Sequence, residues 1–237
     1  MKITVVGTGS ISSVNNSPSY IIDNDIIIDM PNGNYKNIKR LGINTNEITN
    51  VLMTHLHGDH FFDMPFYLFE TLNSKEDIKV YVNKKGIKTI QKLIKLAFPY
   101  SYYEILLNRK YKFIDTTEFK IKDKYIEKIR VRHGGLRYAY GYIITNDNKK
   151  VGFTGDSAFC KNVEKMAKVC NYLFCDCTYE IGNLKHMGID NILYLAKKYP
   201  NCNVVVTHMS DLTKKKITKK KIKNIIIPKD GDIIEVN

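Results

Sequence analysis

Apolar residues fall in short runs rich in isoleucine and valine, separated by glycine, asparagine and aspartate. Residues 2–7, around Ile3-Thr4-Val5-Val6, read as a buried strand ending at Gly7. Ser19-Tyr20-Ile21-Ile22-Asp23 and Ile26-Ile27-Ile28-Asp29 are β-branched runs joined by Asn24-Asp25, a hairpin signal. Residues 35–41 predict a short helix stopped by Gly42. Residues 61–72 are apolar and predict one helix, with Pro65 near its first turn. Residues 78–82 alternate as a strand does, and Ile87, Ile90, Leu93, Ile94 and Ala97 recur with helical period. Tyr100, Tyr102 and Tyr103 follow Pro99 and are expected in a loop or lid. Their rings would either pack a helix onto the core or stack a base or sugar.

The second half repeats this alternation. Residues 119–121 and 125–132 are expected strands leading to His133. Residues 138–145 and 149–153 form a hairpin closed by Asn146-Asp147-Asn148. A helix near 163–169, a strand at 172–176 and a helix at 189–198 follow. Val204-Val205-Val206 is a buried strand that ends at His208, and residues 230–236 form a turn and strand. The chain shows no short-period repeat and no Gly/Ser-rich linker. Similar strand-and-helix material in both halves fits two stacked sheets with helices outside, in one α/β domain spanning residues 1–237.

Composition changes this picture little. No apolar run approaches the ~20 residues of a membrane-spanning helix. The first strand is interrupted by Gly7 and Gly9 too soon for a signal peptide. Five cysteines, an odd number in a chain that needs no stapling, point to reduced thiols and a cytoplasmic setting. Cys175-x-Cys177 reads as structural. The net charge of +13 suggests an anionic partner such as a nucleic acid or a phosphorylated substrate. Lysine, asparagine and isoleucine are abundant throughout, which explains the charge equally well. The densest block, Lys214-Lys215-Lys216, Lys219-Lys220-Lys221 and Lys223, is either a solvated helix face or an anion-binding arm.

One stretch carries chemistry. Met53-Thr54-His55-Leu56-His57-Gly58-Asp59-His60 follows the apolar run Val51-Leu52-Met53. Three of the six histidines fall in it, which argues against a scatter of solvated side chains. Neutral imidazoles and carboxylates are ligands for Zn²⁺ and similar ions. One ion can hardly take all four side chains at this spacing, so the pattern suggests two adjacent ions.

The H-x-H-x-D-H run resembles the signature of the metallo-β-lactamase superfamily, hydrolases with an αββα fold. The resemblance implies a four-layer αββα sandwich over nearly the whole chain. It also implies further ligands in order, and candidates appear at strand ends: His133 before Gly134-Gly135, Asp156 in Thr154-Gly155-Asp156-Ser157, and His208 in Thr207-His208-Met209-Ser210. On this resemblance His55, His57 and His133 hold one divalent ion, and Asp59, His60 and His208 hold a second. Asp156 bridges the two. Zn²⁺ is expected from the histidine-rich shell, with Mn²⁺ or Fe²⁺ also admitted by the ligand types. The remaining histidine, His186, precedes a helix. In similar phosphodiesterases a histidine there contacts the scissile phosphate or protonates the leaving group.

The implied activity is a dinuclear-metal-dependent hydrolase with a bridging hydroxide as nucleophile, Asp59 orienting it and His186 as proton donor. Asp156 in place of a cysteine argues against β-lactamase activity. Thioester hydrolases of the glyoxalase II kind share all seven ligands. Gly141-Tyr142, Lys185-His186-Met187 and Thr207-His208-Met209-Ser210 look more like the branch containing ribonuclease Z and small phosphodiesterases. Ribonuclease Z carries a tRNA-binding arm between the third histidine and the bridging aspartate. Here 22 residues separate His133 from Asp156, room for a hairpin only. The expectation is therefore a phosphodiesterase acting on an anionic diester, with Arg132, Arg137 and Lys185 beside the site. The alternatives are an arm-less tRNA 3′-processing endoribonuclease, a thioester hydrolase, and, last, a non-catalytic metal-binding module. A nucleic-acid substrate and a homodimer are both compatible with the chain; a membrane partner is not expected.

Overall fold

The computed structural model describes residues 1–107 and 110–237. The first half runs β1 (Lys2–Gly7), β2 (Ser19–Ile22), β3 (Ile26–Ile28), α1 (Asn34–Arg40), β4 (Asn50–Leu52), α2 (Gly58–Phe61), α3 (Met64–Glu70), β5 (Ile78–Tyr81), α4 (Lys84–Ala97), α5 (Tyr102–Leu107) and β6 (Tyr111–Ile114). The second runs β7 (Glu118–Ile121), β8 (Lys124–Arg130), β9 (Tyr140–Asn146), β10 (Lys149–Phe153), α6 (Lys161–Val169), β11 (Tyr172–Asp176), α7 (Ile189–Lys198), β12 (Asn203–Thr207), α8 (Asp211–Thr218), β13 (Ile225–Ile226) and β14 (Ile233–Glu235).

Among the described residues the strands form two mixed seven-stranded sheets, β14-β1-β2-β3-β4-β5-β6 and β13-β12-β11-β10-β9-β8-β7. Strands β3 to β6 are parallel neighbours in the first sheet, as are β10 to β13 in the second. Alternation along each strand sets the layers, because successive side chains point to opposite faces. In β2, Tyr20 and Ile22 face the other sheet, while Ile21 faces the helices. In β12, Val205 faces inward and Val204 and Val206 outward. Three cores result. One lies between the sheets, where Tyr81 stacks on Phe119 with ring centroids 3.9 Å apart. A second lies under α1, α3 and α4, and a third under α6 and α7. This is the αββα sandwich, and its near-continuous apolar strands follow from burial on both faces.

Three expectations are corrected. Of the helix expected over 61–72, only Met64–Glu70 form one, α3, and Phe61 closes the preceding α2. The chain breaks at Phe62-Asp63, where Asp63 turns away to accept the Tyr35 amide at 2.9 Å, and Pro65 starts the next helix. Tyr102 and Tyr103 are not in a lid. They open α5, which packs on α4 through Ile105 and leaves Tyr103 exposed. Strands β6 and β13 were not anticipated. Cys175 and Cys177 both lie in the outer core of the second sheet, since residues two apart share a face, and all five cysteines are free. Lys214, Lys215 and Lys216 lie on α8, whose hydroxyl cap Ser210 accepts the Thr213 amide at 3.1 Å. No described helix is long and apolar enough to cross a membrane.

Candidate metal centre

The expected ligands converge at one end of the sandwich, where strands of both sheets finish. Asp29 follows directly on β3, and β4 leads into Thr54-His55. The segment after β8 carries His133, that after β10 Asp156, and β12 ends before His208. Asp29 and His208 adopt left-handed backbone conformations, with φ of 59° and 53°. Such conformations are uncommon away from glycine and mark a segment whose surroundings dictate its shape. Gly155 must be glycine: its φ is +57° and a Cβ there would lie 2.8 Å from the Thr54 Cβ.

Two ligand groups share one carboxylate. His55, His57, His133 and Asp156 offer ligand atoms within 4.8 Å of one another, and so do Asp59, His60, Asp156 and His208. In the first group the Nε2 atoms of His55 and His133 each lie 3.2 Å from His57 Nδ1. In the second, His60 Nε2 lies 3.2 Å from Asp156 Oδ1, and His208 Nε2 lies 3.3 Å from Asp156 Oδ2. The structure thus brings together all seven residues expected from sequence, with Asp156 between the groups.

The donor set fits divalent cations. His60 Nε2, His208 Nε2 and Asp156 Oδ1 are buried and lack a hydrogen-bond partner in the protein. Buried polar atoms are rarely left so, and all three point at the shared locus. Four of the five rings are turned by the far nitrogen. His133 Nδ1 donates to the Lys185 carbonyl at 2.7 Å and His60 Nδ1 to Asp29 at 2.7 Å. His55 Nδ1 lies 3.0 Å from the Thr54 hydroxyl, and His208 Nδ1 lies 2.6 Å from that of Thr178. Fixing one ring nitrogen in this way presents the other as a ligand.

Electrostatics divides the cluster. Burial, reinforced by neighbouring imidazoles, holds His55, His57 and His133 below the usual histidine range, which keeps their lone pairs free. Burial would also lower His60 and His208, but adjacent carboxylates prevail. Asp156 and Asp29 hold His60 well above its ordinary value, and Asp156, Asp176 and Asp59 push His208 up to about 10. Asp156 is buried, yet His208 and His60 keep it well below the carboxylate range.

Two residues escaped sequence reasoning. Asp29 accepts the Thr54 amide at 2.8 Å, the Thr54 hydroxyl at 2.6 Å and His60 Nδ1. Asp176 accepts His186 Nδ1 at 2.8 Å and the Ser157 amide at 3.0 Å, and its other oxygen accepts the Thr178 hydroxyl at 2.8 Å. His186 is thereby held at the site, its Nδ1 3.8 Å from Asp156 and its ring stacked on His208 at 5.2 Å. A signal existed: each aspartate ends a buried apolar run, as the ligands do. Beside the cluster opens a cleft of about 370 Å³ lined by Ser10, Ile11, Ser12, His57, Gly58, Asp59, Asp156, Thr178, Tyr179, His186 and His208. Arg132, Arg137 and Lys185, expected beside the site, do not line it.

A family model for the anti-Pycsar protein Apyc1 matches residues 1–230. The ribonuclease Z of Pyrococcus abyssi is 23% identical over 296 residues, covering 100% of this chain and 96% of that protein. Matches to the ribonucleases Z of Picrophilus torridus and Clostridium botulinum cover 46% and 57% of those proteins. Among solved structures, the metallo-β-lactamase fold protein YhfI from Bacillus subtilis superposes with a TM-score of 0.79 at 16% identity, covering 98% of both chains. A diphosphatase from the PhnP family gives 0.77 at 18%, covering 100% of this chain and 98% of that one. Fold, relatives and the His/Asp cluster define a hydrolase of the metallo-β-lactamase superfamily, near ribonuclease Z. Within that class, the chain belongs to the family of the anti-Pycsar protein Apyc1.

Proposed function

We propose that this protein is a phosphodiesterase that works with two divalent cations, Zn²⁺ by donor type, held by His55, His57, His133, Asp59, His60 and His208 with Asp156 shared. The observation that carries the reading is Asp156, buried between two ligand groups with one oxygen unpartnered. Cations bound at such a site lower the pKa of water and neutralise charge developing on phosphoryl oxygens. The chain's own residues do the rest. Asp59 reaches 3.6 Å from His208 Nε2 and lines the cleft, where it orients an attacking water. Asp176 accepts a hydrogen bond from His186 Nδ1, which leaves Nε2 as the atom from which the imidazolium would pass a proton to the departing alkoxide, Nδ1 keeping its own. Asp29 and Thr178 hold His60 and His208 against rotation. The protein acts as one unit in a reducing, cytoplasmic setting, in keeping with its five free thiols.

Activity on generic phosphodiesters should exceed that on lactams and glutathione thioesters when all are assayed with the same added metal. Thioesterase or lactamase turnover without phosphodiesterase activity would overturn the reading. A second reading, cleavage of pre-tRNA 3′ ends, is favoured by the ribonuclease Z relatives. Against it, the β9–β10 hairpin fills the interval where an arm would project. Cleavage of a pre-tRNA transcript at one 3′ site, weakening steeply with salt as phosphate contacts release counterions, would establish it.

A further inference from the structure

The cleft floor is polar, and on its walls two large apolar side chains stand among Ser10, Ser12 and Thr178. Its floor holds His57, Asp59, Asp156, His186 and His208, and no lysine or arginine lines it. The walls come from two loops. One presents Ile11, 83% exposed, and the other Tyr179, 46% exposed. Neither loop hangs free. The Ser10 amide donates to the Met209 carbonyl at 2.9 Å, and Met209 donates back to Thr8 at 3.1 Å, which fixes the loop beside His208. Ser13 donates to Asp211 at 2.7 Å. Asp230 accepts the Thr8 hydroxyl at 2.7 Å and the Asn16 amide at 2.8 Å. Opposite, the Tyr179 carbonyl accepts the Ile189 amide at 3.1 Å, and its ring meets the His186 ring edge-on at 5.8 Å.

Tethered backbones that hold an isoleucine and a tyrosine out of the core, against a catalytic cleft, gain nothing in folding from these side chains. They are preorganised for a ligand. Aliphatic and aromatic walls suit a flat ring, which stacks on or abuts Tyr179. A lining without lysine or arginine does not suit a polyanion tracked along its backbone, which requires cations. We propose that Ile11 and Tyr179 form an apolar subsite for a flat aromatic substituent on the non-leaving ester of the phosphodiester. This rests on the phosphodiesterase reading of the same site.

Methyl p-nitrophenyl phosphate and benzyl p-nitrophenyl phosphate share a leaving group and differ only in that substituent. With the metal-loaded protein, kcat/KM for the benzyl ester should exceed that for the methyl ester by about tenfold, the scale of one aromatic stacking contact. In Tyr179→Ala and Ile11→Ser the ratio should fall toward one, with metal content and melting temperature retained. Tyr179→Phe should keep the ratio, because the ring and not the hydroxyl makes the contact. A wild-type ratio near one, or variants in which both esters fall in parallel, would overturn the subsite. If neither ester is turned over, the phosphodiesterase reading fails. Binding of benzylphosphonate against methylphosphonate by calorimetry then decides the subsite alone: about tenfold tighter supports it, and equal binding overturns it.

Discussion

Replacing Asp29 by asparagine should weaken one metal position more than the other. Asp29 touches neither the cleft nor His57 or His133; its oxygens accept the Thr54 amide, the Thr54 hydroxyl and His60 Nδ1 at 2.8, 2.6 and 2.7 Å. Asparagine keeps the shape but offers one oxygen and turns an NH₂ toward a donor. At least one hydrogen bond to a charged group is lost, worth about 1.5–3 kcal/mol. At 1.4 kcal/mol per decade, that is roughly ten- to a hundredfold in affinity, the range seen when partners behind a ligand are removed. The loss should fall on the cation proposed for Asp59, His60, Asp156 and His208. The position at His55, His57 and His133 should lose less, because Asp29 reaches it only through the Thr54 hydroxyl behind His55, while His133 is turned by the Lys185 carbonyl. Competition titration with a chromophoric chelator reads two affinities in wild type and variant, with circular dichroism confirming that the variant is folded. A folded variant with both affinities unchanged would refute the orienting role of Asp29, and equal loss at both positions would refute the division into two groups.

Other variants test other parts of the argument. Asp156→Asn should lower the content of both cations more than any single histidine change, since its oxygens face both groups; elemental analysis showing two retained ions would contradict the bridge. His186→Ala should keep the metal but lose about 10²–10⁴-fold in rate, with a smaller loss for a nitrophenolate leaving group, which needs no proton; equal losses for good and poor leaving groups would remove the proton-donor role. Tyr142→Phe deletes a hydroxyl that donates to the Met53 carbonyl at 2.8 Å inside the sandwich. It should cost about 1–3 kcal/mol, read as a lower denaturation midpoint with metal stoichiometry intact, and an unchanged midpoint would deny that bond a structural part.

What could be read from sequence divides along physical lines. The strands buried on both faces were legible, because β-branched runs such as Ile26-Ile27-Ile28 need no context to be recognised. Strand β6 was not: Tyr111 and Phe113 are only partly buried, and four residues at a sheet edge carry little pattern. The break at Asp63 was hidden because it depends on the Tyr35 amide, 28 residues away. The seven ligands were legible because four form one contiguous motif and three end apolar strands. Asp29 and Asp176 end strands too, but their work is to hold a ring contributed by another segment, which only the folded chain displays. The cations near the site misled for a geometric reason. Arg132 adjoins His133 in an extended segment, where neighbours point to opposite sides, so His133 buried among the ligands turns Arg132 to solvent.

The two ends of the sandwich carry different work. At the ligand end, parallel strands finish side by side, and the turns that follow β3 and β12 place Asp29 and His208 in strained conformations. The opposite end holds the β2–β3 and β7–β8 hairpin tips, and ions join them across the sheets. Lys124, with its side chain 6% exposed, pairs with Asp23 at 2.8 Å, and Lys122 pairs with Asp25 at 2.7 Å. An exposed pair contributes little, about 0–1 kcal/mol; here one partner of each pair, Lys124 and Asp25, is shielded, and the pairs tie one sheet to the other. Polar burial at the ligand end is unfavourable for the bare chain, since it leaves His60, His208 and Asp156 atoms unpartnered. The apolar cores and the far pairs hold the ends of β3, β4, β10 and β12 side by side, and Gly155 and the strand before it set the Asp156 carboxylate where it faces both ligand groups at once.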